Sequence, residues 1–160
     1  MDNKVVQTLA RAFLALGHVV WRLNFRGVGA SEGLYDEGHG EIDDLLALAA
    51  RAREDSPNLP LALAGFSFGG YVAAQCATTL LPQRLVLVAP AVGRFPVPAV
   101  PAHTLVVHGE QDDVVPLREV LDWARPGKIP VVVVPGAGHF FHGDLVLLQQ
   151  LVVGARTGAA

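Results

Sequence analysis

Short apolar blocks alternate along the chain with longer amphipathic ones in a regular order. Val5, Val6, Leu9, Phe13 and Leu16 recur every three to four positions, predicting a helix over residues 3–16 that Gly17 ends. The run HVVWRLNF predicts a strand over 18–25, followed by the glycine-rich loop RGVGASEGLYDEGHG. The next helix is EIDDLLALAARARED (41–55), with Glu41, Asp43 and Asp44 in its first turn and Arg51 and Arg53 near its last, as the helix dipole favours. Strand 61–65 then leads into helix 68–80, strand 85–89 into the connection PAVGRFPVPAVPAH, and strand 104–108 into GEQDD. Pro116 can open a helix at its first position. Strand 130–134 and the last helix DLVLLQQLVV complete one domain over 1–153, and the tail 154–160 is expected to fray.

Strands that are apolar almost throughout suit a parallel sheet covered on both faces. The alternation therefore predicts a doubly wound, mostly parallel α/β sheet of about five strands with helices on both faces. In such sheets sites lie beyond the carboxyl ends of the strands.

Composition narrows the classes. Hydrophobic residues make up 51% of the 160, yet no run approaches the roughly 18–20 apolar residues of a spanning helix, so no membrane partner is expected. A net charge of −3 with no Lys/Arg cluster gives no reason to expect nucleic acid. The single cysteine, Cys76, excludes an intramolecular disulfide, and its helical position suits a small buried hydrophobe. The N-terminus is amphipathic, unlike a charged head followed by an apolar block, so a cytoplasmic location is expected.

The chemistry gathers after three strands. Gly65-Phe66-Ser67-Phe68-Gly69 is a G-x-S-x-G sequence between a strand and a helix. The serine of such a turn is strained, and a side chain two residues before or after it is expected to collide with the turn. The turn lifts the hydroxyl clear of the sheet, and the backbone N–H of Phe68 then points at a developing oxyanion. A serine hydroxyl needs a base, and the base needs an orienting acid. Asp112 and Asp113 lie in HGEQDDVVP, and the spacing H-G-x-x-D-x-x-V-P favours Asp112. His139 and His142 lie in GAGHFFHG, and His139, directly after the glycine loop, is the better base. The order Ser, Asp, His is that of one hydrolase architecture. His108 is expected to end a strand and pack or hydrogen-bond locally. No ligand cluster accompanies His139 and His142, so no metal is expected. The loop at Gly27–Gly33 misses both the dinucleotide and P-loop spacings, so no cofactor is expected either.

These residues resemble the α/β-hydrolase superfamily, and more closely its small, lidless bacterial members related to dienelactone hydrolases and serine aminopeptidase-like esterases. The likeness is carried by MDNKVVQTLARAF, RLNFRGVGASEG, GFSFGG, HGEQDDVVP and GAGHFFHG, in order along nearly the whole chain. It implies Ser67 as nucleophile, Asp112 as orienting acid and His139 as base. It also implies strands before the first helix, one of them central between 18–25 and 61–65, and a loop supplying the second oxyanion donor. Here the chain opens with the helix, so a truncated form of that fold is expected. One missing oxyanion donor costs roughly 2.7–4 kcal/mol. Each orphaned ladder group costs about 1–3 kcal/mol, against a total stability of about 5–15 kcal/mol. Either the two strands close up, or something fills the gap, with self-association through exposed strand edges as one outcome.

The expected function is a serine hydrolase acting on a small or exposed acyl ester or thioester. Residues 90–103 are too few and too proline-rich for a lid, leaving an open site walled by Phe66, Phe68, Phe95 and Phe140. Activity should fall as pH drops through the ordinary imidazole range, about 6.5. The alternative is an impaired hydrolase-fold fragment or a binding module lacking part of the oxyanion hole. An acyltransferase would differ only in the acceptor.

Overall fold

The computed structural model describes residues 3–155. Residues 156–160, most of the tail expected to fray, lie outside them. Helix α1 spans Lys4–Ala15, with the Asn3 side chain accepting from the Val5 and Val6 amides at its start. Gly17 ends it in the left-handed region, at φ +83°. Helix α2 (His39–Asp55), strand β1 (Ala62–Phe66), helix α3 (Phe68–Leu80), strands β2 (Arg84–Val88) and β3 (Leu105–Gly109), helix α4 (Leu117–Ala124), strand β4 (Val131–Val134) and helix α5 (Leu145–Gly154) follow.

The four strands form one parallel sheet in the order β1-β2-β3-β4. Alternate residues serve opposite faces. Leu85 and Leu87 pack with α2, α3 and α4, whereas Val86 and Val88 pack with α1 and α5. This three-layer arrangement is the predicted doubly wound α/β class. Arg84, at the start of β2, is buried beneath α5: its guanidinium donates to the Val152 carbonyl and lies 5.4 Å from the Phe13 ring centre.

The fifth predicted strand is absent. Residues 18–25 join no ladder. Between them and β1 runs a cleft of about 730 Å³, with Leu9 and Phe13 of α1 on one side and Leu45 and Leu48 of α2 on the other. The two segments have not closed up, and Ala64 in the middle of β1 is exposed. A strand is defined by its ladder, and residues 18–25 have no neighbour to ladder with.

Two smaller expectations also change. α2 starts at His39, two residues early, so Glu41 is the one acid of its first turn. Fully buried, the Glu41 carboxylate accepts from the Asp36 and Gly38 amides, supplying the acidic half of a capping box rather than merely facing the dipole. Asp44 instead forms a two-pronged ion pair with Arg26 at 2.8 and 2.9 Å, tying the glycine-rich loop to α2. Pro116 is the residue before α4, its extended ψ of 133° placing it outside the helix that starts at Leu117.

Candidate active site

Ser67 lies between β1 and α3 at φ 53°, ψ −118°, a conformation that L-residues seldom adopt. The turn is pinned by the Ser67 amide donating to the Val88 carbonyl at 2.9 Å, and by the Ser67 carbonyl accepting from Gly70 at 2.9 Å. Gly65 is required sterically: a Cβ there would stand 2.1 Å from the Gly69 carbonyl oxygen. The expectation for the other shoulder fails at Gly69, where a Cβ would meet nothing nearer than the Phe25 ring at 3.7 Å. The second tight position is Gly70, 3.2 Å from the Pro90 backbone, because α3 crosses the loop after β2 there.

The acid and histidine loops leave β3 and β4 side by side and are stitched together. The Glu110 amide donates to the Val134 carbonyl at 3.0 Å, and the Gln111 amide to the Ala137 carbonyl at 2.9 Å. The Glu110 carboxylate accepts from Gly136 at 2.8 Å. Gly109 permits this approach, since a Cβ at that position would lie 2.4 Å from the Ala137 oxygen.

Ser67, Asp112 and His139 meet at the end of the sheet. His139 Nε2 is 3.1 Å from Ser67 Oγ, and His139 Nδ1 is 2.7 Å from Asp112 Oδ2. A carboxylate accepts, so Nδ1 carries the proton and Nε2 is left to accept from the serine hydroxyl. Asp112 Oδ1 accepts from the Val114 and Val115 amides at 2.9 and 2.8 Å. Asp112 and His139 are both buried, which strengthens their interaction. Asp113 and His142, the alternatives to them, are exposed. As the first residue of α3, Phe68 presents an amide with no acceptor inside the helix.

The four phenylalanines flank this line in two groups. Phe66 and Phe140 contact the His139 ring, with centres 4.8 and 5.0 Å away. Phe68 and Phe95 touch each other at 5.1 Å, on the other side of the turn. The sequence pattern does not single out Phe25, Tyr35 and Tyr71, which join Phe68 there at 5.3, 5.6 and 6.1 Å. They come from the end of the front apolar run, from the glycine-rich loop and from the body of a helix, so spacing carries no signal for their meeting. Residues 90–103 form no helix or strand and lie against α3 and α4, with Gln75 and Trp123 donating to the Pro96 and Val97 carbonyls. Cys76 is buried away from the site, and burial pushes its thiol up to about 11, which leaves it protonated and inert. Among the described residues no three His, Cys, Asp or Glu side chains are grouped to hold a metal, and no helix is long and apolar enough to cross a membrane.

The model of the serine aminopeptidase S33 family matches residues 3–102. The chain is 42% identical to a lidless α/β serine hydrolase from Xanthomonas campestris, whose crystal structure it matches with a TM-score of 0.91 over 100% of this chain and 77% of that one. An α/β serine hydrolase homologue from Coxiella burnetii is also 42% identical, with a TM-score of 0.88 over 96% of this chain and 76% of that one. An uncharacterised protein of Rickettsia prowazekii is 30% identical over 88% of this chain, which spans 66% of that relative's length. With the strand-turn-helix at Ser67 and the matched topology, this chain belongs to the serine aminopeptidase S33 family of α/β hydrolases.

Proposed function

We propose that the chain is a serine hydrolase that cleaves a small or exposed carboxylic ester or thioester through an acyl-enzyme on Ser67. The observation that carries this reading is the unbroken hydrogen-bonded line from Ser67 Oγ through His139 to Asp112. His139 Nε2 takes the hydroxyl proton as Oγ attacks the acyl carbon. The resulting imidazolium is held by the Asp112 carboxylate and returns the proton to the departing alcohol or thiol. Water then attacks the acyl-enzyme with His139 again as base, releasing the acid and restoring Ser67. The Phe68 amide, at the positive end of α3, faces the oxyanion of each tetrahedral intermediate. The absence of a lid over residues 90–103 and the aromatic rings on both sides of Ser67 support an open site for a short acyl group. Fast turnover of long-chain esters in preference to acetyl or butyryl esters would contradict that substrate class.

The cleft beside β1 supports a second reading. On that reading the chain acts as a binding module rather than an efficient enzyme, and its open β1 edge pairs with that of another copy. Fluorophosphonate labelling of the 160-residue chain, beside a Ser67→Ala control, separates the two. Labelling that the control abolishes supports the hydrolase. A folded, unlabelled protein that elutes as a dimer supports the second reading.

A further inference from the structure

The acid loop leaves β3 at Gly109 and enters α4 at Leu117, and in between it must present one carboxylate to His139. Glu110, Gln111, Asp113 and Val114 are exposed, while Asp112 and Val115 are buried. A loop with so much of its length in water needs an anchor on the rigid sheet.

His108, the penultimate residue of β3, is fully buried, and its Nε2 lies 2.8 Å from the Val115 carbonyl oxygen. A carbonyl only accepts, so Nε2 carries the ring proton. Val115 in turn gives its amide to Asp112 Oδ1 at 2.8 Å. Imidazole, Val115 and carboxylate thus form a chain that starts on the strand and ends on the acid. The same Nε2 stands 3.5 Å from Asp112 Oδ2, the oxygen that takes the His139 proton. His108 and His139 are the titratable groups that face Asp112. Burial holds the His108 imidazole below its ordinary pKa, so it is neutral and does not compete as a cation for the carboxylate. Its Nδ1 is buried and has no hydrogen-bond partner among the described residues. Packing alone would be served better by an apolar ring, which leaves no orphan.

We propose that His108 is a positioning residue that, through Val115, holds the Asp112 carboxylate in register with His139. The inference rests on Ser67, His139 and Asp112 as the reacting set. His108→Gln keeps an N–H donor, whereas His108→Phe keeps the ring volume and removes both nitrogens. If His108 only packs, Phe outperforms Gln; if it positions Asp112, Gln outperforms Phe.

The first readout is the downfield proton resonance of the His139–Asp112 hydrogen bond, recorded without substrate. It should persist in His108→Gln and be lost in His108→Phe, with both variants folded by circular dichroism. The second is ester hydrolysis: kcat should fall on the order of 10- to 100-fold in the Phe variant with KM unchanged, and recover largely in the Gln variant. A resonance and kcat intact in His108→Phe, or lost equally in both folded variants, overturn the proposal. Should the variants not fold, nitrogen-15 shifts of the unsubstituted protein decide. A neutral Nε2–H ring at neutral pH supports the proposal, and an Nδ1–H ring overturns it. A wild-type chain with no Ser67-dependent turnover would sink the hydrolase reading alone, since the resonance still reports on His108.

Discussion

Residues 84–88 (RLVLV) and 18–25 (HVVWRLNF) are both mostly apolar and end in opposite states. In β2, Leu85 to Val88 are fully excluded from solvent, with β1 on one side, β3 on the other and helices on both faces. In the front segment Val19 is 62% and Trp21 43% exposed, and among the described residues no strand pairs with it. Intrinsic preference is similar in the two; neighbours differ. Ser67, Asp112 and His139 all hang from the laddered half, so their geometry does not depend on a ladder at the front. What the front contributes is a wall, through Phe25 and Tyr35 against Phe68.

Perturbations that act on one half alone can test this division. The largest effect belongs to Ser67→Ala, which should abolish fluorophosphonate labelling and lower ester hydrolysis by about 10⁴–10⁶-fold, with the urea midpoint unchanged. Labelling that survived would place the nucleophile elsewhere. Next, amide exchange should separate the halves directly. Val86, Leu87 and Val88 should exchange only on global unfolding, on the order of 10³-fold or more slower than residues 19–23. Equal protection would mean that the front is laddered in solution.

Gly65→Ala should destabilise by about 3 kcal/mol, because its Cβ meets backbone that cannot yield. Gly69→Ala should cost less than about 1 kcal/mol, since its nearest neighbours stand at ordinary contact distance. Urea midpoints check both. The smallest effect is a pH dependence of the laddered half. His108 takes a proton less readily folded than unfolded, so the unfolded chain binds more protons as pH falls. The stability it contributes is full above about 6.5 and is lost progressively below that. Going from pH 7.5 to 5.5, protection factors in β3, corrected for the slower intrinsic exchange at low pH, should fall more in the wild type than in His108→Gln, while those of residues 18–25 stay as they were.

Much of the site was legible because its signals are local. A serine between Gly65 and the start of a helix is a steric pattern five residues long, and the order of acid and histidine loops follows from the alternation of strands and helices. The spacing in HGEQDDVVP favoured Asp112 over Asp113, and burial of one and exposure of the other agree with it. The sequence presents Glu41 as a dipole-compensating acid, because a helix start two residues earlier depends on a loop that doubles back to meet it. The sequence marks His108 only as a local contact. Its link to Asp112 runs through the backbone of Val115, which no side-chain pattern encodes.

The sequence by itself determined the order of helices and strands, the strained turn at Ser67 and the residue types delivered to one edge of the sheet. These rest on periodicity and on contacts within a few residues. Only the tertiary structure decided that residues 18–25 stay out of the sheet, that Gly70 rather than Gly69 is the second tight position, and that His108 reaches the acid loop. Each of those depends on what a distant segment places alongside, and ladder bonds, close approaches and burial exist only once that segment has arrived.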